Sequence, residues 1–461
     1  MSVKEENILR KNIPIPRYYQ LAEHIRKAIQ ENKFPKGEPL WSERNLMGEY
    51  KISLATVRKA YEILFNEGLI LKEQGRGIFV ADRSGRTVTL KAVLNTMIFP
   101  EKVWMEIIRE FNRIYPHVRI DCIWAGGARG WGKNIDRLQP DIYSVDEAMW
   151  YILNKADLLL DIADFVKQDI DTINGIYENV LNCYKKDNCI FGIPYRFSTF
   201  ALFYNKKIFR KYNIDFPEKG ISWETLLDIA EKLTVLRNNG SIKHYGFISN
   251  GNINNMSTYI WQNGGDFSPY TLSSFNDKNV KEAISFWYYD MLYKHKVSPA
   301  WGIVDAIDLF LKDKVAMFCE RYYSVSLLNK KCDFEWGVAP LPHGKLKACS
   351  LPSQALSISK KTKNVVSAWN FIKFISTLET QKLFSNKGWG LPSQKVVAES
   401  MPYNKYFIEQ LRYARPAWPS AFTEPREIIK EEFDLLRLNM QNAEITCNKI
   451  ARRCEKIKDN H

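Results

Sequence analysis

Between Thr87 and Ile123 the chain sets the hardest constraint on its own fold. Thr87 to Leu94 is a β-branched, apolar run. Trp104, Ile107, Ile108 and Phe111 then recur at helical spacing, and Val118 to Ile123 is again strand-like. Strand, helix and strand over about thirty-five residues make a βαβ unit, because parallel strands need a long crossover. A parallel sheet must be covered on both faces, so the larger part of the chain is expected to be α/β. Further βα material follows, with no internal repeat or low-complexity segment. At roughly 100 to 200 residues per domain, 461 residues ask for two or three domains.

The first ninety residues carry a different pattern. Tyr18, Leu21, Ala22, Ile25, Ala28 and Ile29 line one face of a helix, which Phe34-Pro35-Lys36-Gly37 breaks. Ser42 is the expected N-cap of a second, short helix that buries Leu46, Met47 and Tyr50, with Glu43 in its first turn. Ser53 caps a third, whose Val57, Ala60, Tyr61, Leu64 and Phe65 face inward. Gly68 ends it. Leu69-Ile70-Leu71 and Ile78-Phe79-Val80 are β-prone runs joined across Glu73-Gln74-Gly75-Arg76-Gly77, a hairpin whose glycines permit positive φ. Helix, turn, helix and hairpin make a winged helix, a fold that serves both as a DNA reader and as a protein interaction module. Residues 1–86 carry 16 Lys and Arg against 11 Asp and Glu, while the remaining 375 carry 50 against 41. Basic excess is therefore concentrated at this end, which favours a nucleic-acid partner.

Five motifs in order resemble the GntR-type DNA-binding domain. They are Ile13 to Ala22, Leu40-Trp41-Ser42-Glu43-Arg44, Ser53 to Tyr61, Glu67-Gly68-Leu69-Ile70, and Gly75-Arg76-Gly77-Ile78-Phe79-Val80. The resemblance implies a winged helix-turn-helix over 13–82, after a tail at 1–12 and before a polar linker at 83–87. It also implies that Arg44, Ser53, Thr56, Arg58 and Lys59 approach the phosphates and major groove, with Gly75, Arg76 and Gly77 in the wing. Such domains act as pairs on two-fold operators, so a homodimer on double-stranded DNA is implied, with recognition helices about 34 Å apart. Two positions depart from the family pattern. Leu54 stands where many members place an arginine, and Trp41 where a proline is usual. Arginine donates two hydrogen bonds to guanine, whereas leucine offers only an apolar contact such as to a thymine methyl.

Eight phrases beyond the linker resemble the sugar-binding branch of the extracellular solute-binding proteins of ABC importers. They include Phe111 to Val118, Pro140-Asp141-Ile142-Tyr143, Phe191 to Ser198 leading to Leu202 to Lys206, and Ser222 to Leu227. Trp261 to Gly265, Lys314 to Met317, Trp336 to Pro342 and Ala368 to Ile375 complete the series. This resemblance implies a two-lobed, periplasmic-binding-protein-like (type 2) domain over 88–424, with a ligand cleft between lobes that close by a hinge. Tyr204-Asn205-Lys206 is expected near the first crossover. A helical segment is expected over 425–461.

A neutral sugar offers flat C–H faces and a ring of hydroxyls, so its site wants aromatic platforms and planar hydrogen-bonding groups. The chain has 13 Trp, 23 Tyr and 25 Phe. Beside the family phrases the candidates are Asp141, Tyr195, Arg196, Trp261, Glu320, Arg321 and Trp389, whereas Trp104, Trp287 and Trp369 are expected in lobe cores.

No stretch of 18 uncharged apolar residues exists, and Met1 to Asn12 has no apolar run of a signal peptide, so neither membrane anchoring nor export is expected. Eight scattered cysteines fit a reducing cytoplasm, and neither they nor the six histidines show metal-ligand spacing. Catalytic motifs, Walker loops and dinucleotide fingerprints are absent, so no enzyme activity, cofactor or metal is expected. Relatives of the first domain that carry a pyridoxal-phosphate aminotransferase-like domain supply one alternative. A large domain kept only for dimerisation is another. The expected function is a cytoplasmic transcription regulator that senses an intracellular sugar or sugar derivative.

Overall fold

A computed structural model describes residues 17–66, 68–73, 75–81, 88–126, 135–248, 253–266, 272–300, 305–387, 389–416 and 423–458. The expected tail at 1–12 and linker at 83–87 lie outside them. Helices α1 (Arg17–Gln30), α2 (Glu43–Tyr50) and α3 (Leu54–Asn66) precede strands β1 (Ile70–Glu73) and β2 (Gly77–Val80). Leu21, Ile25, Leu46, Val57, Ala60 and Leu64 are fully buried in a core of their own. The caps are as the sequence implies. Ser42 Oγ accepts from the Asn45 amide at 3.1 Å and Lys51 ends α2 in the left-handed region. Ser53 Oγ accepts from the Thr56 amide at 3.3 Å. β1 and β2 pair antiparallel, Ile70 opposite Val80 and Glu73 opposite Gly77. The turn between them needs φ of 77° at Gly75 and 116° at Gly77, which residues with a Cβ rarely adopt. Trp41, in place of the family proline, is wedged between His24 (centroids 5.8 Å, stacked) and Phe34 (4.5 Å, edge-on).

The βαβ unit is β3 (Val88–Asn95), α4 (Glu101–Ile114) and β4 (Val118–Ala125). β3 pairs parallel with β4 over Val88–Asn95 and with β5 (Ile142–Val145) on its other side. Strands Ile193–Phe197, Ser353–Ile358 and Leu391–Pro392 extend this first lobe to a six-stranded sheet. α4 buries Trp104, Ile107, Ile108 and Phe111 against it. The second lobe has five strands, in the order Val235–Leu236, Ile242–Ile248, Val315–Arg321, Phe200–Asn205 and Trp336–Ala339. Trp104, Trp287 and Trp369 are buried in lobe cores.

Three segments cross between the lobes and are tied together. The first is Ser198-Thr199, between strands Ile193–Phe197 and Phe200–Asn205. The second is Pro352, between strands Cys349–Leu351 and Ser353–Ile358. The third runs through the 3-10 turn Glu409–Tyr413 and strand Ala414–Pro416, which pairs with Cys349–Leu351. The Ser198 amide donates to the Pro352 carbonyl at 2.8 Å, Ser198 Oγ accepts from the Tyr322 amide at 3.1 Å, and the Thr199 hydroxyl donates to the Phe407 carbonyl at 2.7 Å. The expectation that Tyr204-Asn205-Lys206 adjoins the crossover is corrected. Those residues stand at the far end of their strand, because the chain changes lobe before the strand begins. Val93, Tyr143 and Val145 of the first lobe share one apolar cluster with Phe203, Phe318 and Val338 of the second.

The C-terminal helices Thr423–Arg437 and Ala443–Lys458 pack on the second lobe. Ile429, Phe433, Leu436, Cys447 and Ile450 join the core that holds Trp287 and Tyr288. Fully burying each of the larger apolar side chains contributes roughly 2 kcal/mol before entropy is counted. All eight cysteines are free thiols. Among the described residues no helix is long and apolar enough to cross a membrane, and no group of three His, Cys, Asp or Glu could hold a metal.

Candidate DNA interface and solute cleft

The start of α3 carries the first candidate site. Arg44, Ser53, Arg58 and Lys59 are exposed and Thr56 is half-buried. Ser53 and Thr56 hydroxyls bond each other at 2.8 Å, which orients both at the N-terminus of α3, where free amides favour an anion. Arg44 makes no ion pair or hydrogen bond among the described residues, so its guanidinium is available. Arg58 is held differently, with its Nε 3.3 Å from Glu43 Oε1 on α2. Lys59 lies over the Tyr18 ring, 4.4 Å from its centroid, and so leans toward α1. At the wing tip Gly75, Arg76 and Gly77 are exposed, and Arg76 pairs with Glu73 at 2.7 Å. Leu54, beside the hydroxyl pair, is half-buried.

The second site follows from sheet geometry. In α/β sheets ligands meet the carboxyl ends of parallel strands. β3 ends at Asn95 and β5 at Val145 in one lobe, and strand Val315–Arg321 ends at Arg321 in the other. The structure brings Glu320, Arg321 and Trp389 together there. The Arg321 guanidinium lies 5.0 Å from the Phe200 centroid and 5.5 Å from that of Trp389, and its Nη2 approaches Asn255 Oδ1 at 3.4 Å. Trp389 belongs to the first lobe, since its amide donates to the Ile98 carbonyl at 3.0 Å. Arg321 and Trp389 therefore face each other from opposite lobes. The Glu320 carboxylate accepts from the Arg321 amide at 2.9 Å; burial pushes its pKa up against the pull of Arg321.

Four of the seven ligand candidates are placed elsewhere. Asp141 sits at the amino end of β5, where its carboxylate accepts from the Lys91 amide at 2.8 Å and from the Thr362 hydroxyl. That is the wrong edge of the sheet for a cleft. Tyr195 is buried, with its hydroxyl 2.8 Å from Ser144 Oγ and its ring stacked on Phe99. Trp261 is buried near the end of helix Ile253–Gln262, with Arg415 5.4 Å from its ring centroid. Arg196 is 1% exposed and donates to the carbonyls of Phe384 and Ser385, the latter at 3.1 Å, while resting on Phe99. It clamps the loop that carries Trp389. Burial lowers its pKa to about 9.

Residues the sequence did not single out complete the setting. Asn255 and Phe200 touch Arg321, and nothing in their local sequence marks them. Met97, 69% exposed, stands in the turn after β3 beside Ile98. Asp146 caps helix Glu147–Lys155 by accepting from the Met149 amide at 2.8 Å. Its pKa is raised by burial and held back chiefly by the backbone amides at the start of that helix, with the charge of Arg426 on the C-terminal helices a smaller influence. Glu147 next to it accepts from the amide and hydroxyl of Ser353, and burial with the neighbouring Asp146 pushes its pKa up to about 8.

Residues 100–382 match the family of bacterial extracellular solute-binding proteins. The chain belongs to that family. Residues 17–80 match the bacterial regulatory proteins of the GntR family, so a GntR-type helix-turn-helix domain is fused to a sugar-binding-like domain. The HTH-type transcriptional repressor NagR of Bacillus subtilis is 41% identical over 73 residues, 16% of this chain and 30% of that repressor. The chain thus spans under a third of NagR's length. The arabinooligosaccharide-binding protein of Bacillus subtilis is 24% identical over 335 residues, 67% of this chain and 75% of that protein. Among solved structures, an ABC substrate-binding protein of Listeria monocytogenes in complex with cycloalternan superposes with a TM-score of 0.70 at 19% identity, over 81% of this chain and 99% of that one. The large domain therefore has the solute-binding fold and not the alternative, aminotransferase-like one.

Proposed function

We propose that the regulator binds a two-fold operator as a homodimer in the cytoplasm and that an intracellular carbohydrate, held between the lobes, alters that binding. The Arg321–Trp389 pair carries the reading, because a cation with five donors and an indole face one another from opposite lobes. A pyranose that displaced the Arg321 guanidinium from the indole, as the lobes open, would stack its C–H face on Trp389 and give its hydroxyls to Arg321, Asn255 and Glu320. Closing on such a ligand stabilises one arrangement of the lobes, and the lobes are joined to the winged helices. A ligand shifts operator affinity only by its differential affinity for two arrangements, typically about 1 to 3 kcal/mol. The similarity to an arabinooligosaccharide-binding protein and to a cycloalternan complex supports a carbohydrate.

The test is a thermal-shift screen of mono- and oligosaccharides, followed by operator titration with each hit. The expected result is a five- to hundredfold change in operator affinity, lost in Trp389→Ala and Arg321→Ala while the dimer persists. A ligand that stabilises the protein yet leaves operator affinity unchanged overturns the sensing mechanism, and a domain kept for dimerisation then accounts for the fold.

A further inference from the structure

A hollow lies away from the Arg321–Trp389 group. It is a cavity of about 320 Å³ between Lys219-Gly220, the segment from Pro340 to Ala348, and the 3-10 turn Glu409–Tyr413. Helix Ile253–Gln262 separates the two sites. Asn255 near its start meets Arg321, whereas Gln262 at its end lines the cavity, roughly 10 Å along the axis at 1.5 Å per residue.

The lining has a defined chemistry. Lys219, Lys347 and Arg412 are exposed at its rim, and none of them is ion-paired among the described residues. Glu409 is the single carboxylate. Gln410 is 8% exposed, and its side-chain amide has no hydrogen-bond partner among the described residues although it lines the hollow. Its amide is therefore free to bond an occupant of the hollow. Gln262, 1% exposed, uses Nε2 to donate to the Ala348 carbonyl and Oε1 to accept from Trp223 Nε1, each at 2.9 Å, so it holds the wall in place. Three unneutralised cations around a cavity with an unpaired amide match a small molecule that joins an anionic group to hydroxyls. The volume suits one of sugar-phosphate size.

The walls belong to different parts of the molecule. Pro340 to Ala348, Lys219 and Gln262 are second-lobe elements. Glu409–Tyr413 is the third crossing segment, and the Leu411 carbonyl accepts from Asn179 Nδ2 of the first lobe at 2.6 Å. An occupant would bridge the hinge to one lobe only.

We propose that this cavity is a second ligand site, selective for a small phosphorylated polyol, whose occupancy biases the hinge and therefore the cleft. Carbohydrate state and phosphorylated-metabolite state would then meet in one chain. The site does not depend on the cleft's being a sugar site.

The experiment uses the full-length protein in phosphate-free buffer, with glucose 6-phosphate, glucose and inorganic phosphate as probes in calorimetric titration. Glucose 6-phosphate is expected to bind, with at least tenfold weaker affinity in the surface charge-reversal variant Lys347→Glu/Arg412→Glu and unchanged affinity in Trp389→Ala. Glu409→Gln is expected to tighten it severalfold. Gln410→Leu, which removes the amide but not the charges, is expected to weaken glucose 6-phosphate more than inorganic phosphate. Equal binding to wild type and charge-reversal variant overturns the proposal, as does no binding at all. Loss in Trp389→Ala, or equal affinity for glucose, places the probe in the cleft and also overturns it.

Discussion

All eight DNA candidates of the winged helix lie between Arg44 and Gly77, and every one but Thr56 is exposed. The cleft group instead draws Phe200, Asn255, Arg321 and Trp389 from four distant stretches and holds them half or wholly buried. A short helical motif carries its surface with it, because caps and periodicity decide which side chains face out. A cleft between lobes exists only after two sheets and three crossings have formed.

Stability should separate the regions most sharply. Leu64→Ala empties part of the small winged-helix core and is expected to cost about 2 to 5 kcal/mol, so that calorimetry shows that domain melting first while ligand stabilisation of the lobes survives. A single concerted loss would break the comparison. Next in size is a pH effect confined to the large domain. Glu147 keeps its proton in the folded state up to about pH 8, whereas the unfolded chain releases it near the ordinary carboxylate value. The folded form thus binds more protons over that window, and stability falls as pH rises from about 5 to about 8, then levels. Denaturant titrations should show a loss of about 2 to 4 kcal/mol, and Glu147→Gln, which can still accept from Ser353, should flatten it.

Trp389→Ala is expected to weaken carbohydrate binding about thirtyfold, some 2 kcal/mol, and to leave the affinity of the unliganded protein for operator unchanged. Equal losses at both sites would erase the distinction between them. Glu43→Gln should act in the other direction and least. It frees Arg58 from an exposed ion pair worth about 0.5 kcal/mol, so operator affinity is expected to rise about twofold at low salt.

Much of the fold was legible. The βαβ pattern from Thr87 to Ile123, the serine caps at 42 and 53 and the glycine hairpin are local signals, and the structure carries each of them. Residue type and neighbouring phrase point to seven cleft candidates, of which Arg321 and Trp389 meet and Glu320 adjoins Arg321. The other four are placed elsewhere, and their local sequence does not show it. Strand Ile193–Phe197 is buried along its whole length, so no polar and apolar alternation reveals which face Tyr195 or Arg196 uses. Asp141 precedes a strand, and its neighbours alone do not say which edge of the sheet becomes the cleft. Arg196 shows what the fold made of such a residue: a buried guanidinium that spends its donors on the carbonyls of a loop and so positions the tryptophan beyond it.

By itself the amino-acid sequence determined the class of each region, the helix ends, the wing and the exposed polar face of α3, since these depend on spacings of three, four and two residues. The tertiary structure alone decided that Arg321 of one lobe lies over the ring of Trp389 of the other and that Gln410 lines a hollow beside the hinge. Such juxtapositions join residues whose separation along the chain carries no trace of their separation in space.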